Sequence, residues 1–441
     1  MKNWLLKKLG EVADFTNGGA WTPDEYVESG IPVVRVSDIQ NETINLQQCK
    51  YLLPESISKY KKHTLFQGDL VIATVGSHPT QPGSVVGRPG IVPQYVQGAL
   101  LNQNAVRIAP ANNYLDKKYL AYLGKSQFFR NYIIRHARGS ANQVRMSIGL
   151  LKEMEVLLPP LPIQRKIAAI LSAYDRLIEN NTRRIEILEE MARSIYREWF
   201  VKFRFPGHEQ VQMVDSELGL IPEGWEALPI DELIKRGILE KNQDGNHGEK
   251  HPKSTDYVAS GIPFIMAKDL SNNIIDLENC QFISYKQAQS LRVGFAKTGD
   301  VLLTHKATMG RVALVPQVEK FIVLTPQVTY FRIKDYSLLN QAFLYCTFTS
   351  DRFQDILSGQ SDQSTRKFIS ITNQRNIKIL YPSPSWINKF GEIIKDVLGL
   401  KESLYSKNAN LRQTRDLLLP RLISGEIDVE NLEINTGLIA A

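Results

Sequence analysis

Residues 29–39 read SGIPVVRVSDI and residues 260–270 read SGIPFIMAKDL, so one segment stands twice in a chain of 441 residues, 231 positions apart. At the same offset Ile44, Leu46 and Cys49 fall on Ile275, Leu277 and Cys280, and Gly68 and Asp69 fall on Gly299 and Asp300. Both Gly-Asp pairs lead into apolar runs of strand type, LVIAT and VLLTH. The offset drifts where VGSHPTQPGSVVG faces the shorter HKATMGRVALV, and settles near 222 where LLPPLP faces ILYPSP. A period of about 220 residues is far beyond that of solenoid repeats, so a whole domain is duplicated and a pseudo-twofold molecule is expected.

Within each copy the pattern changes once, from short β-type runs broken by Gly, Pro, Asn and Ser to one long helical stretch. The change falls at Pro159, Pro160 and Pro162 in the first copy and at Pro382 and Pro384 in the second. Residues 163–200 hold no Gly or Pro and stop short of Pro206 and Gly207, as a helix of about 57 Å should. Ile167, Leu171, Tyr174, Ile178, Asn181, Ile185, Leu188, Ala192, Ile195 and Trp199 alternate in steps of four and three, the seam of a coiled coil with one polar position. A shift of 223 gives Phe390, Ile394, Val397, Lys401, Leu404, Asn408, Leu411, Arg415, Leu418 and Leu422, a seam with three polar interruptions. A helix that outruns its own domain must bury its stripe elsewhere, and the helix of the other copy is the expected partner. Lys401, Asn408 and Arg415 are expected to face solvent or partner proteins, with the pairing stripe displaced through Leu398 and Leu417.

The chain length predicts two domains or more, and 43% apolar with 22% charged residues is ordinary globular composition. No apolar run is long enough to span a bilayer and the start MKNWLLKKLG is no secretory signal, which predicts a cytoplasmic protein. Cys49, Cys280 and Cys346 are too scattered for a disulfide framework or a zinc site. No phosphate loop, HExxH, CxxC pair, GxSxG or dinucleotide fingerprint occurs. Asp69 and Asp300 are explained by turn chemistry, and the tetrapeptide that an amino-methyltransferase needs to hold a flipped base is missing. Catalytic, cofactor-binding and metal-ligating residues are therefore expected to be none.

A net charge of +7 suits a polyanionic partner. Basic polar loops stand at equivalent places in the two copies, RHARGSANQVRMSI at 135–148 and SGQSDQSTRKFISI at 358–371. Arg, Lys, Ser, Asn and Gln bond phosphates and base edges, although a solvated loop uses the same residue types. Two such loop sets on a duplicated frame suit duplex DNA, and because they differ, the two half-sites they read should differ as well.

LPPLPIQRKIAAIL, IEILEEMARSIYREWF followed by DSELGLIPEGWE, and TRDLLLPRLISGEI carry a resemblance that covers essentially the whole chain. The chain resembles the specificity subunit of a Type I restriction-modification enzyme. The resemblance implies an α/β (α+β) fold, with two mostly β target-recognition domains at 1–158 and 207–380. Two long antiparallel coiled-coil helices, at 159–206 and 381–425, join them as a ruler, and a tail follows at 426–441. It implies a split double-stranded DNA target methylated on adenine, two methyltransferase subunits and restriction subunits as partners, and S-adenosylmethionine, ATP and Mg as cofactors of those partners. The family's DNA-facing loops map in copy one onto Arg35, Ser77, His78, Gln81, Arg138, Ser140, Asn142, Gln143 and Arg145. In copy two they map onto Lys268, Lys306, Thr308, Arg311, Gln360, Ser361, Gln363, Ser364, Arg366 and Lys367. The competing readings are a helical adaptor whose basic loops are incidental and a self-sufficient DNA-modifying enzyme with an unrecognised site.

Overall fold

The computed structural model of the chain describes residues 4–434 except 41, 79–83, 141–142, 307 and 360–367. It forms two compact units, one made of residues 1–180 with 408–441 and the other of residues 181–407. Each unit thus takes one copy of the β-rich part together with a length of both long helices.

In the first unit Leu70–Ala73 lies between Pro89–Ile91 and Ala105–Pro110, all antiparallel, with Ala13–Asn17 at the far edge. A second sheet sets Ile31–Val34 parallel to Leu100–Leu101 and antiparallel to Lys50–Leu52. The second unit repeats this plan: Val301–Thr304 lies between Val312–Leu314 and Val328–Phe331, and Ile262–Ile265 runs parallel to Ile322–Leu324 and antiparallel to Gln281–Ile283.

The repeated motifs are the joints of this plan. In SGIP the glycine admits the next strand against its neighbour: a Cβ on Gly30 would sit 2.3 Å from the Leu52 carbonyl oxygen, and one on Gly261 would sit 2.4 Å from that of Ile283. In the Gly-Asp pairs Gly68 and Gly299 turn the chain at φ +79° and +87°, where a side chain is strained. The following carboxylate then closes the turn on itself, Asp69 accepting from the Phe66 N–H at 3.0 Å and Asp300 from the Lys297 N–H at 2.7 Å. Lys117 and Arg332 neutralise these buried acids at 2.8 and 2.7 Å. Asp38 and Asp269 close a further pair of turns on the Arg35 and Met266 N–H groups, at 2.9 and 2.8 Å.

The central helix runs Leu161–Tyr196 and widens into a π turn at Arg197–Val201; the C-terminal helix runs Pro384–Ile423. Pro384 supplies the first helical position of the latter, where a missing N–H costs nothing. In the first unit Ile167 and Leu171 share a core with Leu422 and Leu419, while Ile178 accepts a hydrogen bond from Asn408 at 3.2 Å. Ascending numbers on one helix meet descending numbers on the other, so the pairing is antiparallel. In the second unit Glu189 meets Lys401 at 2.6 Å, Phe200 packs on Phe390 with ring centroids 5.1 Å apart, and Trp199 packs edge-on against Trp386. The pairing there is antiparallel too. Burying aromatic and aliphatic side chains of this size stabilises by about 1.5–3 kcal/mol each, and none of the seam positions identified from the heptad pattern is exposed.

The expectation for the polar interruptions is overturned. Lys401 and Asn408 are 6% and 1% exposed, Arg415 is half-buried, and Leu417, proposed as part of a displaced stripe, is 64% exposed. Leu398 only packs at the margin of the second unit's core. The seam keeps its heptad register because each polar group finds a partner: Lys401 on Glu189, Asn408 on the Ile178 carbonyl and Arg415 on Asp175 at 2.6 Å. Cys49, Cys280 and Cys346 are buried free thiols. No helix among the described residues is long and apolar enough to cross a membrane.

Candidate nucleic-acid interface

In the first unit Gln143–Arg145 pairs with Arg138–Ser140 on one side and with Val75–Gly76 on the other. The Met146 N–H donates to the Thr74 carbonyl at 2.9 Å and continues the ladder into the main sheet. Two of the three loops singled out in copy one therefore share a small sheet, from whose edge the chain passes to Ser77 and His78. Arg138 and Arg145 are exposed and paired across the hairpin, with the Arg138 guanidinium donating to the Arg135 carbonyl at 3.0 Å. Ser140 and Gln143 stand opposite one another in the hairpin, and Gln81 and Asn142 lie outside the described residues. Arg35 stands apart from this group. It is half-buried, grips Asp38 through two bonds of 3.2 and 3.1 Å and donates to the Gln48 carbonyl at 2.6 Å, so it holds its own turn.

The second unit makes the same junction in reduced form. Lys306 bridges Phe368, and the Ile369 N–H donates to the His305 carbonyl at 3.0 Å. Lys306, Thr308 and Lys268 are exposed, with Lys268 3.8 Å from Asp269. Gln360, Ser361, Gln363, Ser364, Arg366 and Lys367 lie outside the described residues. Arg311 is half-buried and donates to the Ala267 and Leu270 carbonyls at 3.2 and 2.7 Å. Its counterpart in the first unit is Arg88, which donates to the Ile39 carbonyl at 3.1 Å. Both arginines tie the hairpin to the turn that follows the SGIP strand. The repeated Gly-Arg of VVGRPGIV and TMGRVALV was the signal for this pair, and the drifting offset hid it.

Behind Lys306 the imidazole of His305 is enclosed. Its Nδ1–H donates to the Ile369 carbonyl at 3.0 Å, while Nε2 is buried without a hydrogen-bond partner among the described residues, 3.7 Å from Asp244. Asp244 also meets exposed His247 at 2.9 Å. Burial holds the pKa of His305 below its ordinary 6.5 against the smaller opposing pulls of the Ile369 hydrogen bond and Asp244, and Lys306 and His247 add to the depression. The unfolded chain therefore takes the proton first, and stability is lost as pH falls below 6.5 towards the depressed folded value. We expect His305→Asn, which keeps a donor for the Ile369 carbonyl, to lose less stability than the parent between about pH 7.5 and about pH 5.5, as read by denaturation midpoints at the two values. Among the described residues no group of three or more His, Cys, Asp or Glu side chains is placed to hold a metal ion.

Residues 1–190 match the family described as the Type I restriction modification DNA specificity domain. The MjaIX specificity subunit of a Type I restriction enzyme from Methanocaldococcus jannaschii is 26% identical over 447 residues, 98% of this chain and 95% of that one. The EcoBI specificity subunit of Escherichia coli is 20% identical over 458 residues, 99% of this chain and 89% of its own. The crystal structure of a Type I restriction-modification S subunit from M. genitalium has the same fold, with TM-score 0.56 at 16% identity over 96% of each chain. With a duplicated β-rich domain and an antiparallel helix pair in view, the chain is similar over nearly its whole length to specificity subunits of Type I restriction enzymes, and its first 190 residues match the DNA specificity domain of that family.

Proposed function

We propose that the chain is the sequence-reading subunit of a Type I restriction-modification complex and binds a split double-stranded DNA target, one half-site to each recognition domain. The recognition domains are assigned to residues 1–158 and 207–380, and the paired helices act as the spacer. The observation that carries this reading is the repetition of one β plan, joint for joint, in two units that differ at the equivalent loop junction: Val75 opposite Arg145 in one, Lys306 opposite Phe368 in the other. Different loops on equal frames read different half-sites. The chain itself performs no chemistry in this reading. Two methyltransferase subunits and the restriction subunits dock on it and bring S-adenosylmethionine, ATP and Mg, and methylation falls on adenine.

Long-read methylation mapping tests this in a methylation-free host that expresses the chain with its modification subunit. A single bipartite motif, methylated on adenine in both halves and lost when the chain is left out, is the expected result. Methylation that persists without the chain, or that follows no split motif, would contradict the reading. Phosphate contacts should also make DNA binding by the assembled complex weaken steeply with salt, which a titration of potassium chloride measures.

A further inference from the structure

Each unit carries a charged cluster where its β domain meets the helix pair, buried around Lys401 in the second unit and half-buried around Asp175 in the first, with a tyrosine and a β-turn residue that the repeat makes equivalent. In the second unit Lys401 is the centre: its ammonium reaches Glu189 of the central helix at 2.6 Å, the Asn273 carbonyl at 3.1 Å and the Tyr345 hydroxyl at 3.1 Å. The Asn273 side chain returns to Glu189 at 3.3 Å. In the first unit Asp175 is the centre: it accepts from the Tyr122 hydroxyl at 2.7 Å, pairs with Arg415 at 2.6 Å and lies 3.8 Å from Lys125, which in turn meets Glu42 at 3.1 Å. Tyr122 and Tyr345 occupy the same place, on Lys117–Lys125 and Gln341–Thr349. Glu42 and Asn273 occupy the tip of the same tight β-turn and both sit in left-handed backbone, at φ 61° and 54°.

We propose that these clusters are positioning clamps: each fixes the attitude of a recognition domain on the helix pair and thereby confines the DNA target to one spacer length. The proposal rests on the bipartite reading given above. An apolar seam would hold the helices together at no desolvation cost, and buried charges are poor sources of stability. Directional bonds supply what apolar contacts lack. Lys401 ties three separate elements to one atom, so a tilt of the domain about the helices breaks bonds that sliding methyl groups would not register. The ion pairs themselves come from non-equivalent positions. Glu189 follows Asp175 by two heptads and Lys401 precedes Arg415 by two, so both units use the same antiparallel register although the central charge is positive in one and negative in the other.

The test uses the full chain assembled with its modification subunits, on duplexes carrying the mapped motif with its native spacer and with spacers one base pair shorter and longer. The double variant Lys401→Met/Glu189→Leu replaces the ion pair by apolar side chains and removes the bonds to Asn273 and Tyr345. We expect its methylation of off-length duplexes, relative to the native length, to rise about tenfold over the parent. Tyr345→Phe and Tyr122→Phe delete only a hydroxyl, should shift selectivity in the same direction by less, and carry the test if the double variant does not assemble. Unchanged spacer selectivity in assembled complexes overturns the clamp, including a uniform loss of methylation at all lengths. A parent complex that methylates no split motif would instead refute the bipartite reading.

Discussion

Lys401→Met alone should destabilise the second unit by about 3 kcal/mol, because it removes the nearest counter-charge of the Glu189 carboxylate and leaves it only the Asn273 amide at 3.3 Å and Arg193 at 3.8 Å. The Lys401 and Glu189 side chains are only 8% and 14% exposed, and the ammonium at 2.6 Å is a closer cation to this acid than Arg193 at 3.8 Å. Burial already pushes the pKa of Lys401 below the ordinary lysine value, against the pull of Glu189, so a charged ammonium is held there at a cost. Adding Glu189→Leu should recover most of the loss, since a well-packed apolar pair is commonly as stable as a buried ion pair. Denaturant unfolding of the full-length chain measures both. A single variant as stable as the parent would show that the pair contributes nothing to the seam.

Gly245→Ala should be at least as damaging, costing about 3 kcal/mol or more. A Cβ at Gly245 would stand 1.9 Å from the carbonyl oxygen of Leu324, in the strand Ile322–Leu324, and backbone on a paired strand cannot step aside. Gly18 has the same relation to the Asn102 carbonyl, also 1.9 Å, so Gly18→Ala should disrupt the first unit to the same degree. Gly399→Ala is the contrast. It lies within Pro384–Ile423 with nothing within 4 Å of its Cβ, and should stabilise the helix by up to about 1 kcal/mol. Soluble yield and unfolding midpoints of the three variants should rank accordingly.

These residues also mark where the sequence was legible and where it was not. The duplication, the switch from β runs to a long helix, the four-three seam and the closing role of Asp69 and Asp300 all depend on local order along the chain, and all can be read from it. The partner of a buried charge does not. Lys401 reads as a surface lysine because Glu189, Asn273 and Tyr345 are far away in sequence, and heptad logic puts polar residues outside by default. Arg35 and Arg311 show the converse: an arginine in a polar loop suggests a DNA contact, and the sequence does not show that Arg35 bonds Asp38 and the Gln48 carbonyl, or Arg311 the Ala267 and Leu270 carbonyls, within its own domain. The hairpin of Arg138 and Arg145 was legible as a loop but not as a strand pair, since its ladder partner, Val75–Gly76, lies about seventy residues upstream.

The central claim is that each unit reads its own half of the target, and changing the exposed arginines of one unit tests it most directly. Arg138→Ala/Arg145→Ala should relax the half-site read by the first domain, with base-reading losses of about 1–3 kcal/mol each, and leave the other half-site as it was. Methylation mapping of the variant complex beside the parent is the measurement. A motif degenerate in one half and unaltered in the other is the predicted result, and degeneracy spread over both halves, or a motif identical to the parent's, would contradict the account.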